Sequence, residues 1–306
     1  MSILIVGSFM TDLVVRTHKA PQQGETVIGN HFDMFFGGKG ANQAISAFRQ
    51  GSRVHLLGAL GDDAFGDNFL NFLNTENFDT SHIERKALPS GVGQIVVNET
   101  TGQNQIIIIP GANLGYDSND LMRKAHLFKE ANLIVNQLEM SDEVTILTKQ
   151  LAKKYGKPYL LNPAPYKILD DEFLNDIDYL TPNESELAGL VGKSLNCLGD
   201  YEDAAKSLVD KGVKHVIVTL GGAGALHCNK TGCQLYPSFK INQVLDTTAA
   251  GDTFNGAFAA QIDQGYSIHE AIIFANAAGA LSVTKQGAIP SIPTRVDVLK
   301  LIEKNK

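Results

Sequence analysis

The chain has no tryptophan, only three cysteines and no long apolar run. A membrane helix takes about 20 consecutive apolar residues, so we expect no contact with a membrane. The chain also has no excess of basic residues: it contains 26 lysines and arginines and 33 aspartates and glutamates, which gives a net charge of −7. Proteins that bind nucleic acid usually carry a basic face. We therefore expect no nucleic-acid partner.

The cysteines, Cys197, Cys228 and Cys233, are odd in number and too few for a disulfide framework. No second cysteine pair lies near Cys228 and Cys233 at the spacing of a metal site. We expect three reduced thiols, as in a cytosolic protein. The chain starts in a strand pattern, SILIVGS, without a basic segment or a cleavage site. This start predicts no signal peptide and a cytoplasmic location.

What the chain does contain is the composition of a globular protein, with 43% hydrophobic residues, 29 glycines and 10 prolines in 306 residues. This length suits one large α/β domain or two smaller domains. From residue 113 onward, predicted helices alternate with predicted strands. Such alternation is typical of βαβ units, which build a parallel sheet with helices on both faces.

Two regions break this alternation. The strands predicted within 13–36 and 92–109, one of them over 25–36, have no helix between them and indicate a separate small sheet. A small sheet beside a large core forms a cleft, and clefts bind ligands. Farther along, the pattern predicts one helix over 118–130 and an antiparallel hairpin over 226–236.

The segment with the clearest chemistry is DTTAAGDTF, from Asp246 to Phe254. Small residues lead into Gly251, and a helix is predicted to start at Asp252. The free backbone N–H groups and the dipole of a helix start together favour an anion, such as a phosphate group. A carboxylate at this place could take a proton from an alcohol. The alternative is that Asp252 only caps the helix.

Three further segments have the residue types of a ligand site. FGGKGANQ (36–43) combines consecutive glycines, which let a ligand approach the backbone, with hydrogen-bonding side chains suited to a polyhydroxylated sugar. TLGGAG (219–224) directly follows a predicted strand and could admit a nucleotide. TPNESE (181–186) lies just past another strand, where α/β sheets bind ligands. Each segment could instead be an ordinary turn or a capped helix start.

Together with NPAP (162–165), these segments resemble the ribokinase family, also called the phosphofructokinase-B family of sugar kinases. The resemblance runs from Gly7 to Pro293, and GGKGANQA and QLE (137–139) are similar to its ribokinase branch. It implies a ribokinase-like, three-layer α/β fold with a mainly parallel central sheet and a small β-sheet lid. It also implies a single domain over 1–306, with lid strands from about 13–36 and 92–109.

The resemblance further implies transfer of the γ-phosphoryl group of ATP to O5 of D-ribose. Asp252 matches the catalytic base of the family. The backbone amides of Ala249, Ala250 and Gly251 match its anion hole. Mg²⁺ is expected to arrive with ATP, and K⁺ is expected to act as a monovalent activator beside the anion hole. Ribokinases are similar in forming homodimers through the lid sheet, so a homodimer is expected here too.

The resemblance assigns three sets of contact residues. Those expected at the pentose are Met10, Thr11, Asp12, Gly38, Lys39, Gly40, Ala41, Asn42, Glu139 and Asp252. Those expected at ATP are Asn183, Thr219, Leu220, Gly221, Gly222, Ala223, Gly224, Gly251 and Asn276. Those expected at K⁺, several of them through backbone carbonyls, are Asp246, Thr248, Ser282, Lys285, Gly287 and Ser291.

One position departs from the pattern of the family. Many bacterial members carry asparagine where this chain has Met10, and a thioether is a weak acceptor that cannot donate. The segment GSFMTDL resembles 2-deoxyribose kinases and also some eukaryotic ribose kinases, so 2-deoxy-D-ribose is an alternative substrate. Alternatively, Met10 only packs, and water or Asp12 is the hydrogen-bond partner of the sugar hydroxyl. Two further alternatives are a nucleoside kinase and a non-catalytic sugar-binding regulator of the same fold.

Overall fold

Short runs of buried aliphatic residues form the centre of the fold. The structure, a computed structural model, describes residues 1–305. Its strands are β1 (Ile3–Val6), β2 (Met10–Thr17), β3 (His31–Gly37), β4 (Val54–Gly61), β5 (Ile83–Lys86), β6 (Val92–Asn98), β7 (Asn104–Ile109), β8 (Leu133–Gln137), β9 (Tyr159–Asn162), β10 (Tyr179–Leu180), β11 (His215–Thr219), β12 (Ala225–Asn229) and β13 (Gly232–Tyr236).

The helices surround this sheet framework. They are α1 (Lys39–Arg49), α2 (Ala64–Thr75), α3 (Ala112–Gly115), α4 (Ser118–Arg123), α5 (Ala125–Glu130), α6 (Asp142–Lys154), α7 (Asp171–Leu174), α8 (Glu184–Val191), α9 (Leu198–Asp210), α10 (Ala250–Asp263), α11 (Ile268–Ser282) and α12 (Arg295–Lys304). Within residues 1–305, no helix combines the length and the apolar character that crossing a bilayer requires.

Nine strands form the central sheet, in the order β13-β12-β11-β10-β9-β8-β1-β4-β5. The pairs from β11 to β5 are parallel, and β12 and β13 add an antiparallel edge. Side chains alternate across a strand, so Ile3 and Ile5 pack on one face while Leu4 and Val6 pack on the other. Helices cover both faces, which confirms the three-layer α/β prediction.

A second sheet of four strands, in the order β3-β2-β6-β7, lies apart from the central sheet. Its strands lie in or next to the two predicted regions, since β2 starts earlier than expected, at Met10, and β3 starts only at His31. The residues before it form no strand: Ile28 is 89% exposed and so has no packing to favour an extended conformation. We call this sheet the lid sheet.

Two further predictions differ from the structure. The helix predicted over 118–130 is two helices, broken at Lys124, where the sequence has neither glycine nor proline to indicate a break. Cys228 and Cys233 form a disulfide, so the expectation of three reduced thiols is wrong for this pair. The physical reason is the hairpin register, which places them directly opposite each other with Cα atoms 4.1 Å apart. Cys197 is free and exposed.

Candidate active site

Two large cavities meet at the carboxyl ends of the central strands, at the start of α10. The core cavity, of about 720 Å³, lies between the start of α8, the turn after β11 and helices α10 and α11. The lid cavity, of about 620 Å³, lies under the lid sheet. A smaller space of about 200 Å³ at the start of α10 shares lining residues with both. We call this space the junction.

The start of α10 leaves backbone donors free. No side chain caps this helix, and Ala249 before it has a left-handed backbone with φ 59°. The first helical hydrogen bond runs from Thr253 N to Ala249 O, and Ala250 N donates to Thr247 O at 3.2 Å. Gly251 N has no acceptor among residues 1–305. The helix thus begins at Ala250, before the predicted Asp252, and offers an anion site.

Asp252 is in the third position of α10 and is not its cap. Its side chain is only 7% exposed but lines both the lid cavity and the junction. One carboxylate oxygen accepts from Asn42 Nδ2 at 2.9 Å, and the other accepts from Gln43 Nε2 at 3.0 Å. Gln43 is fixed in turn by Gln137, whose Nε2 donates to Gln43 Oε1 at 2.7 Å. The carboxylate is thus held in place and open to a ligand.

Lys39 places a positive charge at the junction. Burial opposes its charge, but Asp252, Glu139 and Glu186 more than offset that effect and hold the pKa of Lys39 above its usual value. Its backbone N–H donates to Glu139 Oε2 at 2.9 Å, which ties α1 to the end of β8. The side chain lines both the lid cavity and the junction, so its charge acts on both.

Asp12 is a carboxylate without a hydrogen-bond donor among the described residues. It points into the lid cavity from β2. Burial first, and repulsion from Glu139 second, raise its pKa from 3.8 to about 6. The neighbouring strand leaves room for it at Gly93, where a Cβ atom would meet Asp12 Oδ1 at 2.4 Å. Such a carboxylate is available to accept hydrogen bonds from hydroxyl groups.

The core cavity combines glycine backbone with an apolar wall. Gly221, Gly222 and Gly224 line one side after β11. The apolar part of the lining includes Phe239 and Val283. A flat aromatic ligand with an anionic tail that reaches the free N–H groups of α10 fits this arrangement.

Comparisons with known proteins agree with this geometry. Residues 1–295 match the sequence profile described as pfkB family carbohydrate kinase. The chain is 37% identical to a ribokinase of Haemophilus influenzae over 303 residues, covering 99% of this chain and 98% of that protein. It is 39% identical to a deoxyribokinase of Salmonella typhi over 296 residues, covering 96% of each.

The chain belongs to the pfkB family of carbohydrate kinases. A solved structure of Arabidopsis thaliana ribokinase complexed with ribose and ATP superimposes with a TM-score of 0.92, at 32% identity, over 99% of this chain and 98% of that chain. The similarity to this structure therefore covers the whole fold as well as the sequence. The ribokinase-type α/β architecture expected from the sequence is therefore confirmed.

Most residues predicted at the pentose line the lid cavity of this kinase: Met10, Asp12, Gly38, Lys39, Asn42, Glu139 and Asp252. Three others do not. Thr11 alternates to the opposite face of β2 and is buried. Ala41 is buried inside α1, and Gly40 serves packing, since a Cβ atom there would meet Ser8 N at 2.3 Å.

Residues predicted at ATP mostly line the core cavity: Asn183, Thr219, Gly221, Gly222, Gly224, Gly251 and Asn276. Leu220 is instead buried in the apolar core. Ala223 belongs to the same turn but is not part of the cavity wall. The turn after β11 therefore exposes the backbone of its glycines to the core cavity, while Leu220 packs into the apolar core.

The residues predicted at K⁺ fall into two groups. Asp246, Thr248 and Gly287 line the lid cavity and form one cluster. The carboxylate accepts hydrogen bonds at 2.9 Å from the backbone N–H groups of Thr248 and Gly287, one on each oxygen. The other three residues are not part of that wall: Ser282 and Ser291 are buried, and Lys285 is exposed. The two serine hydroxyls donate to the backbone carbonyls of Gly279 and Ala288.

Three side chains of the site were not singled out from the sequence: Gln43, Ser8 and Asn255. Gln43 holds Asp252, and Ser8 donates to Glu139. Glu186 and Asn255 line the junction. Glu186 was already indicated by TPNESE, and it reaches the junction from the first turn of α8. Ser8 and Asn255 are isolated in sequence, and no local pattern indicates them.

Proposed function

We propose that this kinase transfers the γ-phosphoryl group of ATP to O5 of D-ribose. One observation carries the proposal: the first turn of α10 separates the two cavities and contributes to the walls of both. Ala250 and Gly251 line the core cavity and the junction, while Asp252 lines the junction and the lid cavity. A phosphate donor and an alcohol acceptor bound on the two sides would meet at this turn.

The lid cavity suits a polyhydroxylated acceptor. Asp12 offers free acceptor oxygens, and Asn42 Oδ1 is buried without a partner. Buried acceptors without donors are costly unless a ligand supplies the hydrogens. Sugar hydroxyls would supply them. Asp252, held by Asn42 and Gln43, would take the proton of the attacking hydroxyl.

Charge on the transferring group would be stabilised from two directions. The free N–H of Gly251 and the start of α10 point into the junction from one side. Lys39 lines the junction and the lid cavity from α1. Fixed donors and charges aimed at the transferring group are usually the main catalytic contribution in phosphoryl transfer.

The residues of the junction fit a magnesium ion bound with ATP. Asn183 and Glu186 supply oxygen ligands, which Mg²⁺ prefers. Glu186 Oε2 accepts from Asn183 N at 2.9 Å, and its other oxygen has no donor among residues 1–305. Burial raises the pKa of Glu186, with Asp252 adding to the effect, so a nearby cation would favour its charged form. Mg²⁺ would neutralise charge on the phosphate oxygens.

A potassium ion beside the anion hole is also part of the proposal. Burial works against the charge of Asp246, but hydrogen bonds from Thr248 and Gly287 hold its pKa below the usual value. This cluster fixes the loop that leads into α10. We expect a higher kcat in KCl than in choline chloride of equal ionic strength. Equal rates in the two salts would contradict a role for K⁺.

The test of the function is ADP release measured with a panel of acceptors. D-ribose, 2-deoxy-D-ribose, fructose 6-phosphate and adenosine are compared by kcat/KM at fixed ATP and Mg²⁺. We expect turnover of a pentose, and NMR of the product should show the 5-phosphate of that pentose. Absence of turnover with both pentoses would overturn it.

2-Deoxy-D-ribose is the second candidate, favoured by Met10. The side chain lines the lid cavity, and its sulfur is a weak acceptor, 3.8 Å from Asn113 Nδ2. If one buried hydroxyl of ribose lacks a hydrogen-bond partner, the binding free energy of ribose becomes less favourable by about 1–3 kcal/mol. Met10→Asn should therefore raise kcat/KM for ribose relative to deoxyribose by about tenfold or more. An unchanged ratio would show that Met10 does not select the sugar.

The kinase is further proposed to work in the cytoplasm as a homodimer. The outward face of the lid sheet supports the second part, because Ile107 and Ile109 are more than half exposed there. Large exposed apolar patches commonly mark interfaces between proteins.

A further inference from the structure

Three possible metal ligands meet far from the active site. His55 is the second residue of β4, and Asp79 and His82 lie in the connection between α2 and β5. Their ligand atoms all lie within 4.8 Å of one another. The catalytic groups lie at the carboxyl ends of the parallel strands, whereas His55 lies at the amino end of β4. Neither large cavity includes these three residues.

The two imidazoles lack hydrogen-bond partners. His55 is only 4% exposed, and its Nδ1 atom is buried without a partner. No side-chain hydrogen bond within residues 1–305 involves His55 or His82, although the ring centroids are only 5.2 Å apart. A buried polar atom without a partner costs about 1–3 kcal/mol. An unfilled bonding position on a buried histidine therefore points to a ligand.

We propose that His55, Asp79 and His82 bind a divalent transition-metal ion of the zinc type. Two imidazoles and one carboxylate, with water at the open position, form a common ligand set for such ions. Ligand atoms of one tetrahedral ion lie roughly 3.4 Å apart, since each lies about 2 Å from the metal. Rotation of the exposed Asp79 and half-buried His82 side chains would close the remaining gap.

The surrounding charges are mixed. Arg53, Lys124 and His126 act electrostatically on these imidazoles and oppose a cation, whereas Glu130 favours one. The negative charge of the Asp79 carboxylate offsets these positive groups and favours a bound cation. Its Oδ1 also accepts from Ser81 N at 3.0 Å, which orients it within the loop. Since the proposed ion joins β4 to the connection before β5, its role is to fix this connection.

The experiment is titration of metal-free, tag-free protein with Co²⁺, followed by its visible absorption, and then displacement by Zn²⁺. The expected result is one Co²⁺ per chain, with absorption typical of a tetrahedral site. His82→Gln and Asp79→Asn should each weaken binding by more than the ~10–100-fold expected from loss of an outer-shell partner. These two residues are partly or fully exposed, so their substitution should leave the fold intact.

A second histidine pair provides the matched control. His215 Nδ1 and His227 Nε2 lie 3.0 Å apart on β11 and β12, distant in the sheet from β4. His227→Gln should leave Co²⁺ binding unchanged. Unaltered binding in both His82→Gln and Asp79→Asn, or loss of binding in His227→Gln alone, would overturn the proposal. The readout needs no turnover, so the result is independent of the proposed kinase substrate.

Discussion

Asp252 shows how much of the site depends on one side chain and its two amide partners. Asn42 and Gln43, consecutive residues on α1, each donate to one of its oxygens. Asp252→Asn removes the proposed base and places an amide opposite two amide donors. We expect kcat to fall by at least about 100-fold, the usual contribution of a general base. Sugar and ATP binding, measured by calorimetry, should largely remain.

The matched control for this substitution lies at the other end of the same helix. Asp263 is also buried, and its carboxylate accepts from Ser52 and Asn132. Asp263→Asn should lower stability without changing kcat. Comparable losses of kcat in both variants would indicate damage to the helix and would count against Asp252 as the base.

The pKa of Asp12 predicts a pH dependence of sugar use. Burial and Glu139 raise this pKa to about 6, so the carboxylate is charged above pH 6 and protonated below it. A protonated carboxyl loses acceptor strength toward hydroxyls, and hydrogen bonds to charged groups contribute about 1.5–3 kcal/mol. We expect kcat/KM for the pentose to fall about tenfold as pH drops from 8 to 5.

Asp12→Asn separates this carboxylate from the other titrating groups. The variant should have a low kcat/KM at pH 8 and lose the step near pH 6. A step of the same size in the variant would assign the titration to another group.

At the scale of elements, α10 shares with α1, α3 and α5 a start without a capping side chain. Helices α2, α4, α6, α7, α8, α11 and α12 all have a side chain that accepts from the backbone at the cap, whereas α10 has none. The space beside Gly251 is also open, because a Cβ atom there would meet nothing within 4 Å. An uncapped helix start facing open space is available to an anion.

Gly251→Ala tests that use of the helix start. The methyl group would project into open space at the junction, and replacing helical glycine by alanine stabilises a protein by roughly 0.4–1 kcal/mol. We therefore expect an equal or higher melting temperature together with a kcat/KM for ATP lowered at least about tenfold.

Gly199 offers the same position in another helix. It is the second residue of α9, as Gly251 is of α10, and a Cβ atom would make an ordinary contact with Cys197. Gly199→Ala should change stability similarly and leave activity unchanged. Full activity in Gly251→Ala would contradict an anion site at α10.

Individual elements were predictable to different degrees. The α/β alternation and the lid strands follow from patterns of apolar residues, and DTTAAGDTF marks the start of α10 within two residues. The break at Lys124 and the late start of β3 were not predictable, because each depends on packing and not on a local breaker. The pairing of Cys228 with Cys233 depends on hairpin register, which their spacing alone does not determine.

For the whole molecule, the lid sheet predicts the oligomeric state. On β7, Ile106 and Ile108 line the lid cavity, so Ile107 and Ile109 face outward. Ile107 is 64% exposed. A charge there would oppose burial in an interface, so Ile107→Asp should convert a homodimer into monomers. Light scattering at micromolar concentration measures this change.

Ile168 provides the control, since it is 88% exposed but lies outside the lid sheet. Ile168→Asp should leave the dimer intact. A wild-type monomer at micromolar concentration would contradict the predicted homodimer. If the Ile107→Asp variant were still a dimer, Ile107 would not be part of the dimer interface.

Contacts across the whole molecule set the limit of prediction from sequence. Gln43 donates to Asp252 across 209 positions of the chain, and Ser8 donates to Glu139 across 131. The resemblance of the motifs to the kinase family implied which segments meet. It did not predict which side chains of those segments touch, since this depends on helix rotation and on close contacts such as that of Gly40 with Ser8.

The shared turn between the cavities has a thermodynamic consequence. Thr247 lines both cavities, so a molecule bound on one side would restrict a residue that the other side also uses. Such linkage is reciprocal, so the factor by which a nucleotide tightens acceptor binding equals the factor by which the acceptor tightens nucleotide binding. Whichever molecule binds first, the affinity for the second would change by that same factor.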